Sequence, residues 1–240
     1  MAYPIEKKLV IAVASSALFD LTESDKVFRT QGLQAYKEYQ RQHENEPLEK
    51  GVAFPFVKRL LRLNTVFPAS TPIEVILMSR NSPETGLRVF NSIKHYQLDI
   101  TRAGFTSGQS NFQYLPALNT SLFLSANEED VNNAIEHGYA AGRVLNKTVI
   151  DNDDDMELRI AFDFDGVIAG DDAEQVYQKQ GIASYMESEA ANANVPLNTG
   201  PIIDLLKKIS TYQQLERKVA EKDSTYKKVI KIAIVTARNA

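Results

Sequence analysis

Leu158-Arg159-Ile160-Ala161-Phe162-Asp163-Phe164-Asp165-Gly166-Val167 lies without a gap over Leu9-Val10-Ile11-Ala12-Val13-Ala14-Ser15-Ser16-Ala17-Leu18. The same offset pairs Val27 with Val176, Phe28 with Tyr177, Gln31 with Gln180, Gly32 with Gly181 and Tyr36 with Tyr185. Farther on it pairs Pro47 with Pro196, Leu48 with Leu197 and Gly51 with Gly200. Apolar, aromatic and turn positions are kept, but Asp163 and Asp165 stand where the first copy has Ala14 and Ser16. One fold is therefore expected twice, with acid chemistry open only to the second copy.

Residues 8–14 are a short β-branched apolar run, the pattern of a parallel strand buried on both faces. Helical spacing follows over 24–42, with Gly32 as a weak point, and again over 52–64, where Pro55 is tolerable only in the first turn. Residues 73–79 read as the next strand, and Pro83 opens another helix. Short strands near 103–106 and 120–124 precede a helix over 127–137. In the second copy the spacing predicts a strand at 158–163, helices at 171–180 and 200–220, and a strand at 229–235. Strand and helix alternate throughout, which implies parallel sheets with helices on both faces: an α/β, doubly wound architecture. Ile232-Ala233-Ile234-Val235-Thr236-Ala237-Arg238-Asn239 matches Glu74-Val75-Ile76-Leu77-Met78-Ser79-Arg80-Asn81, which sets Met78 opposite Thr236. Residues 1–150 and 158–240 are the expected units, the first degenerate and the second incomplete. Residues 147–157, rich in Asp and poor in apolar side chains, read as a solvated acidic linker.

The composition narrows the classes. A net charge of −4 argues against nucleic acid or an anionic membrane as the main partner. With no cysteine and three scattered histidines (His43, His95, His137), disulfides, thiolate sites and a His-built metal centre are not expected. A cytoplasmic setting is the simple reading. Lys7-Lys8 followed by residues 9–17 imitates a secretory signal, but the same register recurs at residue 158, so a buried strand is expected instead. No apolar run approaches the roughly 20 residues of a membrane span. Homo-oligomer formation is compatible with the sequence, and exposed edges of a half-sheet predict contact with residues 1–150.

Asp163 and Asp165 leave a buried strand two residues apart, and ligands of doubly wound sheets bind at the carboxyl ends of strands. Gly166 permits a tight turn whose N–H groups can approach a phosphate. A Mg²⁺ ion would offset the repulsion of two carboxylates and neutralise a phosphoryl group, leaving Asp163 free to attack phosphorus. Thr236 ends an apolar strand, where a hydroxyl can cap a helix or hold a phosphate.

The Asp-x-Asp arrangement after a hydrophobic strand resembles the first motif of the haloacid dehalogenase superfamily. That resemblance implies Asp163 as nucleophile and Asp165 as the acid and base. It also implies Mg²⁺ ligation by the Asp163 carboxylate and the Asp165 carbonyl, and a phosphate-holding hydroxyl on Thr236 of Val-Thr-Ala-Arg. A narrower match covers nearly the whole chain. Residues 10–19, His43-Glu44-Asn45-Glu46-Pro47, Ala53-Phe54-Pro55-Phe56-Val57-Lys58, Asn91-Ser92-Ile93-Lys94-His95-Tyr96, Leu122-Phe123-Leu124-Ser125-Ala126 and Ile234-Val235-Thr236-Ala237-Arg238 are similar to the cytosolic 5′-nucleotidase type I family. The similarity implies two haloacid-dehalogenase-like units and Mg²⁺-dependent hydrolysis of a nucleoside 5′-monophosphate such as AMP. The superfamily's third and fourth motifs fall beyond residue 240 on this reading, so the resemblance implies an enzyme truncated at the C-terminus, whose loss of those motifs could cost several orders of magnitude in rate.

Two other functions fit the same residues: a sugar-phosphate phosphatase, and a non-catalytic nucleotide-binding or regulatory fragment. The first copy lacks the acids, yet Ser15, Ser16, Ser79 and Arg80 are placed to line a crevice for a nucleotide or effector.

Overall fold

Five consecutive apolar residues, with no polar alternation, give β1 (Leu9–Val13) two faces to bury. The computed structural model describes residues 4–145, 150–170 and 198–236, and within it every residue of β1 is buried. A four-residue helical turn, α1 (Ser15–Leu18), leads to α2 (Thr22–Gln42) and α3 (Phe54–Val66). Gly32 interrupts α2 at φ 84°, ψ −177°, and Pro55 sits in the first turn of α3. β2 (Ile73–Ser79), α4 (Pro83–His95), β3 (Arg102–Phe105), β4 (Leu122–Ser125), α5 (Glu128–Glu136) and β5 (Ala141–Arg143) complete this part of the chain. The five strands form one parallel sheet in the order β3-β2-β1-β4-β5.

Both faces of the sheet's centre are covered. Val10, Ala12, Ile76, Met78 and Phe123 pack with Leu115 and with Ala134 of α5. The alternate residues, Leu9, Ile11, Val13, Val75 and Leu77, are buried too, and α3 packs its buried Val57, Leu60, Leu61 and Leu63 on that side of β2. β5 has no counterpart in the expectations above. Its Ala-Gly-Arg carries no β-branched signal, and pairing with β4 alone holds it as a strand.

The chain divides into two compact units, Met1–Met156 and Glu157–Ala240. In the second, β6 (Leu158–Asp163) pairs in parallel with β7 (Ile230–Val235). Between them in sequence lies α6 (Ile203–Lys222), which buries Leu205, Ile209 and Tyr212. Glu216 of α6, only 1% exposed, fixes the start of β7. Its carboxylate accepts hydrogen bonds from Tyr226 Oη at 2.7 Å, Val229 N at 2.8 Å and Ile230 N at 3.1 Å. The helix expected at 171–180 lies outside the described residues.

The register corrects one equivalence between the copies. Leu9 pairs with Ile73, and Leu158 pairs with Ile230. Ile73-Glu74-Val75-Ile76-Leu77-Met78-Ser79 therefore corresponds to Ile230-Lys231-Ile232-Ala233-Ile234-Val235-Thr236. Thr236 has Ser79 as its counterpart, not Met78. The shared Arg-Asn dipeptide drew the sequence match one residue out of register, which reverses the faces of a strand.

The acidic stretch before the second unit is largely exposed and also ion-paired, chiefly to α3. Asp153 accepts from Lys58 Nζ at 2.7 Å and Lys50 Nζ at 3.0 Å, and Asp151 pairs with Arg59 at 2.7 Å. Arg59 Nε also donates to the Asp155 carbonyl at 3.0 Å. Hydrogen bonds from Lys58 and then Lys50 lower the Asp153 pKa to about 2. With its pKa depressed on folding, this contact stabilises the docked segment above the ordinary carboxylate range. That stabilisation is lost as pH falls from there through about 2. An NMR titration should place the Asp153 carboxyl at about 2, and Lys58→Met should return it toward the usual 3.8. A value of 3.8 in the unchanged chain would contradict the docked arrangement.

Candidate active site

Asp163 is the last residue of β6 and is exposed, with φ −68° and ψ 147°. Its carboxylate accepts from the Phe164 N–H at 2.8 Å. Beyond it, Phe164–Ile168 form a wide turn closed by Ala169 N donating to Phe164 O at 2.9 Å. Within that turn Asp165 is extended (φ −79°, ψ 128°) and half-buried, and Gly166 is left-handed (φ 70°, ψ −2°). A side chain at φ 70° is strained, so glycine is the residue that lets the chain reverse immediately after the second acid.

The first unit makes the same exit with one residue fewer. Ala14 leaves β1 at φ −73°, ψ 148°, nearly the angles of Asp163, but the turn closes from Phe19 N to Ser15 O at 2.9 Å. Antiparallel bridges then pin both turns, Phe19 to Lys50 and Ala169 to Thr199. Lys50 and Thr199 keep the constant offset of the repeat, whereas Ala169 stands one residue beyond it. Gly51 and Gly200 each follow a bridge at a close backbone approach: a Cβ on Gly51 would lie 2.7 Å from Phe19 N, and one on Gly200 would overlap the Val167 carbonyl. The apparently gap-free repeat thus hides an extra residue in the acid-bearing turn.

β-sheet pairing sets the remaining member. Asp163 is the register partner of Val235, and Thr236 follows directly at the same carboxyl edge. Asp163, Asp165, Gly166 and Thr236 are therefore gathered at one end of a two-stranded ladder, although most of the unit's sequence separates the first three from Thr236. Arg238 lies outside the described residues. Two carboxylates at a strand end are hard oxygen donors of the kind Mg²⁺ prefers, and that ion commonly takes one or two carboxylates with waters and substrate oxygens completing its shell. Among the described residues, no group of three or more His, Asp or Glu side chains is arranged to hold a metal.

A cavity of about 670 Å³ lies elsewhere, at the carboxyl ends of β1 and β2 in the first unit. It has the volume of a ligand site but no acid pair at its strand end, so volume and acid chemistry point to different units. The acids decide where phosphorus chemistry is possible; volume alone supplies neither nucleophile nor proton donor. The histidines are ordinary: His43 and His137 follow the ends of α2 and α5 and hydrogen-bond backbone carbonyls within the same turn. Sequence reasoning missed Ser79 as the counterpart of Thr236. The β-branched or apolar residues at Ile73, Val75 and Leu77, set against Ile230, Ile232 and Ile234, carried that signal. Among the described residues no helix is long and apolar enough to cross a membrane.

A family model for 5′-nucleotidase matches residues 1–240. The human protein cytosolic 5′-nucleotidase 1B is 33% identical over 242 residues, covering 97% of this chain. The chain spans 38% of the length of that relative. No solved structure matches.

The left-handed turn gives a direct test. Gly166→Ala should cost about 1–2 kcal/mol of second-unit stability, read as a lower urea midpoint for that unit's transition. An unchanged midpoint would show that the acid-bearing turn does not hold residue 166 in a left-handed conformation.

Proposed function

The chain belongs to the 5′-nucleotidase family, and from that premise we propose that it hydrolyses nucleoside 5′-monophosphates through Asp163 with Mg²⁺. The observation that carries the reading is the acid pair at the end of β6, where Asp163 is in register with Val235 and Thr236 follows directly. We read both units as haloacid-dehalogenase-like and doubly wound, the first being the copy without the acids. The relative's name describes it as cytosolic, and the cytosol is the compartment proposed here.

On this reading a carboxylate oxygen of Asp163 attacks phosphorus and the bond from phosphorus to the nucleoside 5′-oxygen breaks. Asp165 gives its proton to that leaving oxygen. Asp165, now a carboxylate, takes a proton from water as the water attacks the phosphoryl group on Asp163. Inorganic phosphate leaves, and both acids return to their starting states. The Thr236 hydroxyl and the N–H groups of the turn at Gly166 hold the phosphoryl oxygens. The Asp163 carboxylate and the Asp165 carbonyl oxygen would hold Mg²⁺. When bound, the cation supplies positive charge against the phosphoryl oxygens, the main requirement of phosphoryl transfer.

The exposure of Asp163 suits this role, because an attacking carboxylate must be reachable by substrate. Its contact with the Phe164 N–H orients one oxygen and leaves the other for phosphorus. Phosphate release from AMP by the full-length protein should require Mg²⁺. Asp163→Asn should lower it by about three orders of magnitude or more. Release at the unmodified rate after that substitution would remove Asp163 from the reaction.

A further inference from the structure

We propose that the cavity of the first unit binds a phosphomonoester without a divalent cation. It opens at the carboxyl ends of β1 and β2, where parallel sheets hold their ligands, and its volume of about 670 Å³ admits a nucleotide-sized molecule. Ala14 and Ser16 line it where the second unit places Asp163 and Asp165. A divalent cation has no acid pair to hold it at the positions of Asp163 and Asp165.

The floor offers hydrogen-bond donors instead. Ser79, 1% exposed, is the register counterpart of Thr236. Its hydroxyl lies 2.9 Å from the Ser15 hydroxyl and accepts from Asn81 N at 3.2 Å. Asn81 also lines the cavity. Its Oδ1 accepts from Tyr36 Oη at 3.0 Å, which fixes the direction of the amide, and its buried Nδ2 makes no hydrogen bond among the described residues. A buried donor without an acceptor costs about 1–3 kcal/mol, and this one belongs to a side chain that lines the cavity.

Three cations also reach the cavity. Arg80 is held over the cavity by Asp130 at 2.6 Å and Glu129 at 3.3 Å, and Arg29 and Lys50 line it from α2 and from the bridge to Phe19. Three of the four carboxylates at the cavity are already engaged. Asp130 is taken by Arg80 and Asp151 by Arg59, while Asp20 accepts from Thr22 N at 2.8 Å and Thr22 Oγ1 at 2.6 Å. The fourth, Asp25, has its pKa raised by burial, against the opposing charge of Arg29 one helical turn away. Lys50 and Arg80 share their charge with Asp153, Asp130 and Glu129, and Asn81 Nδ2 is the donor left over for an oxygen ligand.

This site goes beyond the hydrolytic reading. Only the likeness of Ser79 to Thr236 rests on that reading; the cavity, the missing acids and the orphan amide do not. Calorimetric titration of the chain with AMP, inorganic phosphate and adenosine in excess EDTA tests it. AMP and phosphate should bind and adenosine should not. Asp163→Asn should leave the affinities unchanged, while Ser16→Asp should weaken them by about tenfold or more. Ser79→Ala, a smaller change that leaves the fold's charges alone, should weaken them by about threefold or more. The proposal is overturned if nothing binds in EDTA, if adenosine binds as well as AMP, or if Asp163→Asn abolishes binding. Insensitivity to both Ser16→Asp and Ser79→Ala would overturn it as well. Failure of the hydrolytic reading, seen as AMP hydrolysis that survives Asp163→Asn, leaves these metal-free outcomes untouched.

Discussion

The parallel ladder between β6 and β7 is the constraint on which the candidate site depends. Pairing Leu158 with Ile230 fixes, step by step, that Asp163 meets Val235. A slip of one residue would send Thr236 to the other face of the strand and separate it from the acids. Two features hold this register. Leu158, Phe162 and Ile230 are buried in the ladder, as are Leu205, Ile209 and Tyr212 of α6. Glu216 meanwhile captures the first backbone N–H of β7 and the one before it. A buried carboxylate that satisfies three donors is costly to displace, so the start of β7 is anchored where its carboxyl end must arrive in register.

The two copies show how little sequence separates a turn built for chemistry from one built for shape. Both leave their strand at nearly the same backbone angles. One extra residue, with a left-handed glycine in the widened turn, then opens an exit where two acids can stand two apart. In the first copy the tighter turn carries Ala14, Ser15 and Ser16, and the Ser15 and Ser79 hydroxyls join across the sheet end. The second arrangement gathers negative charge that a cation can neutralise; the first removes that charge and leaves donors. Opposite electrostatics at equivalent strand ends are the basis for proposing a nucleophile in one unit and an anion site in the other.

Much of this was legible in the sequence because buried parallel strands read as unbroken apolar runs. β1, β2 and β6 were placed within a residue by that signal alone, and Gly32 marked the break in α2. Less legible was whatever depends on neighbours. β5 is a strand only because β4 lies beside it, and its Ala-Gly-Arg says nothing alone. The acids of residues 151–155 are largely exposed, as read, but their partners, Lys50, Lys58 and Arg59, are far away in sequence and not legible from it. The partner of Thr236 was misread because an Arg-Asn dipeptide outweighed the alternation of apolar faces. Asp163 and Asp165 stood out as acids after an apolar strand; that the turn between them and the bridge is one residue wider required coordinates.

The central claim is that Asp163 carries phosphorus during turnover, and the most direct measurement is to look for the phosphoryl group itself. The full-length protein, mixed with AMP and Mg²⁺ and quenched in acid, would be digested and mapped by mass spectrometry. The account predicts an acid-stable, hydroxylamine-labile phosphoryl group on the peptide containing Asp163, absent when AMP is omitted. Rapid turnover with that peptide unmodified, or with the label on another residue, would contradict it.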